Sequence, residues 1–466
     1  MKNLHESKTA RWTVLILISL VMVSGYFFTD IMSPLKSMIE RNPKFGWDST
    51  AYGMYSSAYS WFNVFFLMLI FGGIILDKLG IRFTGKIFIS VILVGASINY
   101  YAMSDTFLNG GFGYDFFNSF LTDYSPSVKL ASLGYAIFGT GMEIAGIIAS
   151  KVIVKWFKGK ELALAMGLNT AFGRLGMLAV FYMSGRLAGE NELITRPLAF
   201  GLIILIASFG AFLIYCFMER KFDKEENETK SENQQDNEEQ FKVADLKFLF
   251  KNRGFIYISI LCVAFYSAVF PFMKYAPDLM VNKFGVNPDT AGDIPGLLPL
   301  GTLILTPLFG FILDYKGKGA SIMIFGSIML IVVHLVFAFG SDSIGLAYAL
   351  MIILGIAFSL VPASMWPAIS KIVDERYLGS AYAVIFWIQN WGLMGMPLFI
   401  GYILDKYNPN VAEQIQNGIN ATYDYTIPMI WFAVTGVIGF IFSFMLKAED
   451  KNKNYGLELP NKQSNN

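Results

Sequence analysis

Residues 73–86 read GIILDKLGIRFTGK and join two strongly apolar segments of the chain. A related stretch, GFILDYKGKG at residues 310–319, follows another apolar segment far along the sequence. Asp77 and Asp314 therefore occupy matching places in two parts of the chain. A repeat of this size, with several apolar segments in each copy, predicts a fold built from two similar halves.

The composition is that of a membrane protein. Hydrophobic residues make up 55% of the 466 residues and charged residues only 15%, whereas soluble domains carry about 25% charged residues. The fold class predicted is an all-α membrane protein, in contact with membrane lipid.

Several classes of function are excluded by the same numbers. A net charge of +1 provides no basic surface for nucleic acid. Two Cys and two His give neither a disulfide framework nor a metal cluster. We expect no cofactor, no metal and no enzymatic activity, because no nucleophile set or phosphate loop is present.

Twelve segments are long enough to cross a bilayer core, which needs about 20 apolar residues per helix. They are 12–34, 49–76, 84–104, 129–156, 162–186, 197–219, 254–281, 292–313, 320–340, 344–370, 379–404 and 427–446. The predicted organisation is a six-helix half (1–219), a polar linker (220–253), a second six-helix half (254–447) and a tail (448–466).

Most of the 36 Lys and Arg residues lie on the side of the termini and the linker. Positive residues concentrate on the cytoplasmic side of membrane proteins, so both termini are expected there. The richness in Lys, Asn, Ile and Phe suggests a bacterial cytoplasmic membrane.

A second repeat links the fifth and eleventh spans. Gly176 matches Gly392, and Gly185 matches Gly401, with the same number of residues between the members of each pair. Two six-helix repeats are typical of secondary transporters, whose halves rock around a site between them. The sequence therefore predicts alternating access.

The loop at residues 73–82 has the composition of a contact that forms and breaks as the halves rock, which we call a conformational latch. Gly73 is its first residue, and Gly80 allows a tight turn. Asp77 can meet a helix N-terminus or pair with Arg82. Asp314 occupies the equivalent place in the second copy.

Glu143 and Arg174 are the two ionisable residues predicted deep inside spans, where a charge is costly and indicates function. They lie almost equally far along the chain from the turn at Gly159, and so at one depth on adjacent helices. Two interpretations stay open: a permanent structural salt bridge, or a pair that binds a solute carrying both charges.

Further polar and aromatic residues are predicted near the same depth. The other candidate substrate-binding residues are Gln389, Asn390, Tyr59, Trp61, Asn63, Trp366 and Asp30. Lys274 lies near the end of the seventh span, where its amine can reach the cavity or snorkel to the membrane interface, and we favour snorkelling.

The loop motif and the six-plus-six layout resemble the major facilitator superfamily. Eight stretches resemble one branch of it, the major facilitator superfamily domain-containing protein 1 group of lysosomal dipeptide uniporters. They are GYFFTD (25–30), YSWFN (59–63), FGGIILDKLGIR (71–82), WFKGKELALAMGL (156–168), GRLG (173–176), AVFPF (268–272), WPA (366–368) and IQNWG (388–392).

This resemblance implies a dipeptide uniporter in which Glu143 takes the amino terminus of the peptide and Arg174 its carboxylate. Tyr135 stands where the group has an arginine, and Gly319 stands where the first loop copy has Arg82. An accessory subunit is known for the group, and its need here is open. The alternatives are a proton-coupled carrier of amino acids, organic anions or drugs, and a non-transporting receptor or scaffold.

Overall fold

The computed structural model describes residues 7–229 and 246–460, and within them the chain is helical without strands. The helices of the first half are α1 (Lys8–Thr29), α2 (Lys36–Arg41), α3 (Ser49–Ala58), α4 (Trp61–Phe65), α5 (Met68–Ala102), α6 (Asp105–Leu108), α7 (Tyr114–Asn118), α8 (Pro126–Phe157), α9 (Leu162–Ala188) and α10 (Thr195–Thr229). Those of the second half are α11 (Leu246–Leu249), α12 (Arg253–Phe284), α13 (Leu297–Lys316), α14 (Gly319–Phe339), α15 (Ile344–Ile372), α16 (Leu378–Tyr407), α17 (Val411–Gln416) and α18 (Thr426–Lys453). Short 3₁₀ turns cover Ser33–Leu35 and Glu375–Tyr377.

Eleven helical segments of the described chain are long and apolar enough to cross a membrane. The all-α, multi-span fold class is therefore confirmed. The predicted second span at 49–76 is divided in the structure among α3, α4 and the start of α5. The chain turns at Gly80 within α5, and the remainder of α5 covers the predicted third span. The predicted limit of the first half, at residue 219, falls inside α10.

The break in the second span has a visible backbone cause. Leu67 adopts a left-handed conformation, with φ 52°, which interrupts the helix and leaves the Val64 carbonyl available to another partner. The Trp387 indole of the other half donates a hydrogen bond to that carbonyl at 3.1 Å. Irregular backbone at membrane depth is tolerated where protein covers it in this way.

The two faces of the molecule can be named from the chain itself. We call the face that contains the start of α1 and the end of α18 the terminal face, and the other the opposite face. Lys8 lies beside Glu161 of the α8–α9 loop, and Tyr455 bonds Asn252 before α12. All these segments are at the terminal face.

Glycines set how closely the helices approach. A Cβ at Gly176 would lie 2.2 Å from the Val23 carbonyl oxygen of α1, and one at Gly392 would lie 2.1 Å from Ser267 of α12. The repeat of Gly176 at Gly392 therefore corresponds to equivalent contacts of α9 with α1 and of α16 with α12.

The other glycine pair packs the halves against each other at the opposite face. A Cβ at Gly401 would lie 2.2 Å from the Ser49 carbonyl oxygen, and one at Gly185 would lie 2.5 Å from that of Asp289. The helices α16 and α9 thus touch the other half through backbone atoms.

Candidate functional site

A cavity of about 470 Å³ lies between the two halves. Helices α1, α3, α8 and α9 line it from the first half, and α12, α15 and α16 from the second. Seven of the predicted binding residues line it: Asp30, Tyr59, Glu143, Arg174, Trp366, Gln389 and Asn390.

Glu143 projects from the middle of α8 and is half-buried. The Tyr59 hydroxyl donates a hydrogen bond to the Glu143 Oε1 at 3.0 Å. Gly139, one turn earlier in α8, makes this contact possible, since a Cβ there would lie 2.2 Å from the Tyr59 carbonyl oxygen.

Arg174 projects from α9 into the same cavity, and no described carboxylate pairs with it. Its guanidinium lies 5.4 Å from the centre of the Phe358 ring, and its Nη1 is 3.9 Å from the Met177 sulfur. Glu143 and Arg174 are both described, and no ion pair joins them. The structural salt bridge considered from the sequence is not formed in this structure.

A third charged group completes the cavity wall. The Lys274 amine lies 2.7 Å from the Asp30 Oδ1, and it donates to the Thr29 carbonyl at 2.7 Å and to the Tyr135 hydroxyl at 2.9 Å. The expectation that Lys274 snorkels to the interface is wrong, because a carboxylate and two oxygens of the other half hold it inside the protein.

Three predicted residues line the second-half wall. The Trp366 indole donates to the Tyr266 hydroxyl at 3.0 Å and stacks on Phe386. The Asn390 amide donates to the Phe386 carbonyl, while its own oxygen has no partner among the described residues. Gln389 accepts a weak hydrogen bond from the Cys262 thiol at 3.8 Å.

Two predicted binding residues do not line the cavity in this structure. The Trp61 indole donates to Ser57 within its own half. Asn63 is completely buried, and neither atom of its side-chain amide has a partner within the described ranges. Both residues belong to α4, which follows the short interruption at Tyr59 and Ser60 after α3, whereas Tyr59 stands before α4 and reaches the cavity.

The model of the Major Facilitator Superfamily matches residues 15–278 and 275–462 of this chain. The chain belongs to the major facilitator superfamily. It is 29% identical to the mouse lysosomal dipeptide transporter MFSD1 over 406 residues, covering 85% of this chain and 80% of that protein. The zebrafish (Danio rerio) protein of that name is also 29% identical, over 401 residues, covering 85% of this chain and 81% of its own.

Solved structures of other transporters share the fold. A point mutant of the nucleoside transporter NupG superimposes with a TM-score of 0.68 at 16% identity, covering 93% of this chain and 99% of its own. A bacterial homologue of the human lysosomal transporter Spinster, inward-facing and occupied, gives 0.67 at 15% identity, covering 95% and 98%. This chain is therefore a secondary transporter of a small-molecule substrate, and not an enzyme.

The loop motif of this facilitator forms the expected turn, and its arginine pairs with a carboxylate of α10. Gly80 has φ 76°, a conformation that favours glycine. The Arg82 guanidinium lies 3.0 Å from Asp223 of α10. The side chain of Asp77 lies outside the described residues, so its role as a latch stays a prediction.

The other two latch candidates have different surroundings. A Cβ at Gly73 would contact nothing within 4 Å, so packing gives no reason for a glycine there. Asp314 is half-buried and lies near the terminal-face end of α13.

The second copy departs from the motif because the end of the chain packs against it. The Gly319 backbone N–H donates to the Leu457 carbonyl at 3.0 Å, and a Cβ at Gly319 would lie 2.9 Å from that oxygen. A larger residue would displace this segment. The tail predicted at 448–466 is thus partly an ordered element of the second half.

A buried charge cluster that the sequence did not reveal closes the opposite face. The Lys36 amine is fully buried and lies 2.8 Å from Glu40, 2.8 Å from Asp278 of the other half and 2.9 Å from the Ser49 hydroxyl. The Tyr425 hydroxyl also donates to Asp278. Burial, and then the Asp278 charge, raise the pKa of Tyr425 well above its usual value, so the phenol remains a donor.

A second contact between the halves uses a helix N-terminus. Residues 401–405 read GYILD, a third copy of the pattern at residues 73–77, but at the opposite face. The Asp405 carboxylate accepts hydrogen bonds from the Thr50 N–H and hydroxyl, both at 2.6 Å, at the start of α3. Burial, and then the Asp405 charge, raise the pKa of neighbouring Asp48, which caps the same helix. This third copy is the signal from which the contact could have been found.

Proposed function

We propose that this facilitator transports dipeptides, with Glu143 binding the peptide ammonium and Arg174 the peptide carboxylate. The observation that carries the proposal is that two opposite charges line one cavity between the halves and are not paired with each other. A zwitterion would satisfy both, since carboxylate accepts from ammonium and guanidinium is suited to carboxylate. A volume of about 470 Å³ lies within the range of about 300–1,000 Å³ usual for small-ligand sites.

Other groups of the cavity suit the remaining parts of a peptide. Trp366 and Phe386 provide an apolar wall for side chains, and the Asn390 oxygen, unpartnered among the described residues, can accept from a peptide N–H. The relatives named lysosomal dipeptide transporters support the same substrate class.

The test pairs changes of the ligand with changes of the protein. Binding of a dipeptide, its C-terminal amide and its N-acetyl form is measured with wild-type protein, Arg174→Gln and Glu143→Gln. We expect Arg174→Gln to bind the free dipeptide about tenfold to a hundredfold more weakly, the value of one charge-assisted hydrogen bond, and to bind the amide as wild type does. Glu143→Gln should likewise bind the free dipeptide more weakly, and should bind the N-acetyl form as wild type does.

Arg196→Gln and Glu413→Gln are the controls, because both residues are exposed and outside the cavity. The proposal is contradicted if Arg174→Gln weakens binding of the dipeptide and of its amide equally. The guanidinium then does not bind the peptide carboxylate. Binding of another solute class by the wild type, without dipeptide binding, would assign a different substrate.

We further propose uniport. Asp30 already has Lys274 as its counter-ion, and Glu143 already accepts the Tyr59 hydrogen bond, so neither carboxylate needs a proton to close the cavity. Dipeptide uptake into proteoliposomes should then have the same rate with and without an inward proton gradient. Acceleration by the gradient would instead favour a proton-coupled carrier.

We also propose that the terminal face is cytoplasmic, because most Lys and Arg residues lie there. In intact cells, an impermeant maleimide should label a cysteine at Asn420 and not one at Lys251. Both positions are exposed, and the two natural cysteines are buried. The reverse labelling pattern would invert the orientation.

A further inference from the structure

A second pocket lies away from the cavity between the halves, at the terminal face, beside the turn at Gly80 within α5 and the ends of α8 and α10. It has a volume of about 780 Å³. Its charged lining is formed by four cations and two carboxylates: Arg82, Lys86, Lys155, Arg220, Glu219 and Asp223.

Two of the cations are neutralised inside the pocket. Arg82 lies 3.0 Å from Asp223, and Lys155 lies 2.7 Å from Glu219 and 2.5 Å from Asp223. These contacts use both carboxylates. Among the described residues that line the pocket, two positive charges therefore have no carboxylate to balance them.

The remaining charges belong to Lys86 and Arg220. Neither has an ion pair or side-chain hydrogen bond with any described residue. Lys86 lies beyond Gly80 by about 9 Å along the helix axis, so its amine projects from within the spanning part of α5. Arg220 lies one turn after Cys216, on the α10 face that lines the same pocket.

The rest of the wall is apolar and exposed. Leu79 and Phe83 are 52% and 54% exposed, and Phe217 is 74% exposed. Two unbalanced cations beside exposed apolar side chains, at the end of membrane helices, match a molecule with an anionic head and a hydrocarbon chain. A free phosphate ion would leave the apolar wall uncovered.

We propose that this pocket binds one acidic glycerophospholipid. Lys86 and Arg220 hold its phosphate, and an acyl chain lies along Phe83 and Phe217. Basic pockets between membrane helices are suited to such head groups. The lipid would join α5 to α10 next to the turn at Gly80.

The test uses the purified full-length protein in a neutral detergent. Phosphatidylglycerol, phosphatidylcholine and glycerol 3-phosphate are added separately, and the melting temperature and retained lipid (by native mass spectrometry) are measured. We expect phosphatidylglycerol alone to raise the melting temperature and to be retained. In the double variant Lys86→Ala/Arg220→Ala its apparent affinity should fall at least about tenfold, the value of one charge-assisted hydrogen bond.

Lys221→Ala is the matched control, because Lys221 is exposed beside Arg220 and does not line the pocket. Equal retention of both lipids by the wild type, or unchanged retention by the double variant, overturns the proposal. An equal effect of glycerol 3-phosphate also overturns it and leaves a phosphate site without a lipid. If the alanine variant does not fold, Lys86→Gln/Arg220→Gln replaces it, and the comparison of lipids on wild-type protein remains decisive.

Discussion

At the residue scale, the cavity between the halves contains two kinds of charge. Asp30 and Lys274 neutralise each other across the halves and are 6% and 14% exposed. Glu143 and Arg174 have no such partner among the described residues. In a buried pair the cost of desolvation largely offsets the attraction, so removing one partner costs far more than replacing both. The first pair therefore serves closure of the cavity, and the second is available to a ligand.

This difference gives the first prediction. Lys274→Met leaves the Asp30 carboxylate in the cavity wall without a cation, and should destabilise the protein by about 3–5 kcal/mol. The double variant Asp30→Asn/Lys274→Met should recover most of that loss, because no uncompensated charge remains. Thermal melting of the purified variants provides the measurement.

The control is the exposed pair of Lys44 and Asp105, 3.7 Å apart and 66% and 80% exposed. Lys44→Met should change stability by less than about 1 kcal/mol. If the double variant at the cavity is no more stable than Lys274→Met alone, the interpretation of a costly unpaired charge is wrong.

At the scale of elements, α16 is the helix that most directly joins the halves. Its backbone approaches α3 at Gly401, where a Cβ would lie 2.2 Å from the Ser49 carbonyl oxygen. Elsewhere on the same helix, a Cβ at Gly395 would contact nothing within 4 Å. The helix thus contains one glycine, Gly401, that the contact with α3 requires, and one, Gly395, where a larger side chain would meet no neighbour.

The second prediction compares these two glycines. Alanine in place of glycine favours a helix by up to about 1 kcal/mol, so Gly395→Ala should be neutral or slightly stabilising. Gly401→Ala meets a backbone oxygen and should cost about 1–3 kcal/mol in the closed state. The measurement is maleimide labelling from the opposite face of a cysteine at Ser56, which lines the cavity on α3.

Labelling should become faster with Gly401→Ala and stay unchanged with Gly395→Ala. Equal rates for the two variants would show that the α3–α16 contact does not control access to the cavity.

The elements also show how far the sequence could predict this protein. Eleven spans follow from hydropathy, because a bilayer requires long apolar helices whatever their packing. Glu143 and Arg174 were found from the cost of a charge at depth, which needs no knowledge of partners. The partners of Lys274 and Lys36 include residues far along the chain, on the other half, so the position of Lys274 near a helix end suggested an interfacial lysine instead. The break at Leu67 carries no glycine or proline to mark it.

At the scale of the whole molecule, the structure is closed at the opposite face. Among the described residues, the ion pairs between the halves lie there or in the cavity wall: Lys36 with Asp278, Arg186 with Asp293, and Lys274 with Asp30. Rocking of the halves must break these contacts together to open that face. Their combined free energy therefore favours the state that is closed at the opposite face.

The last prediction concerns the fully buried member of this set. Lys36→Met leaves Glu40 and Asp278 in the closed interface without a cation, which should disfavour closure by about 3–5 kcal/mol. Reversing a two-state population from 1:99 to 99:1 takes about 5.5 kcal/mol, so this one change should move much of the protein towards the state open at the opposite face. Labelling of the Ser56 cysteine from that face should accelerate, and uptake of the substrate should slow because closure becomes limiting.

Arg186→Met is the control, since it breaks a pair between the same halves at the same face whose side chains are 43% and 21% exposed. Solvent screens such a pair, so its loss should shift the balance by less than about 1 kcal/mol. If Arg186→Met and Lys36→Met accelerate labelling equally, closure depends on the number of contacts between the halves. If Lys36→Met alone does so, closure depends on keeping the buried lysine with its carboxylates, and opening then requires water to reach that cluster.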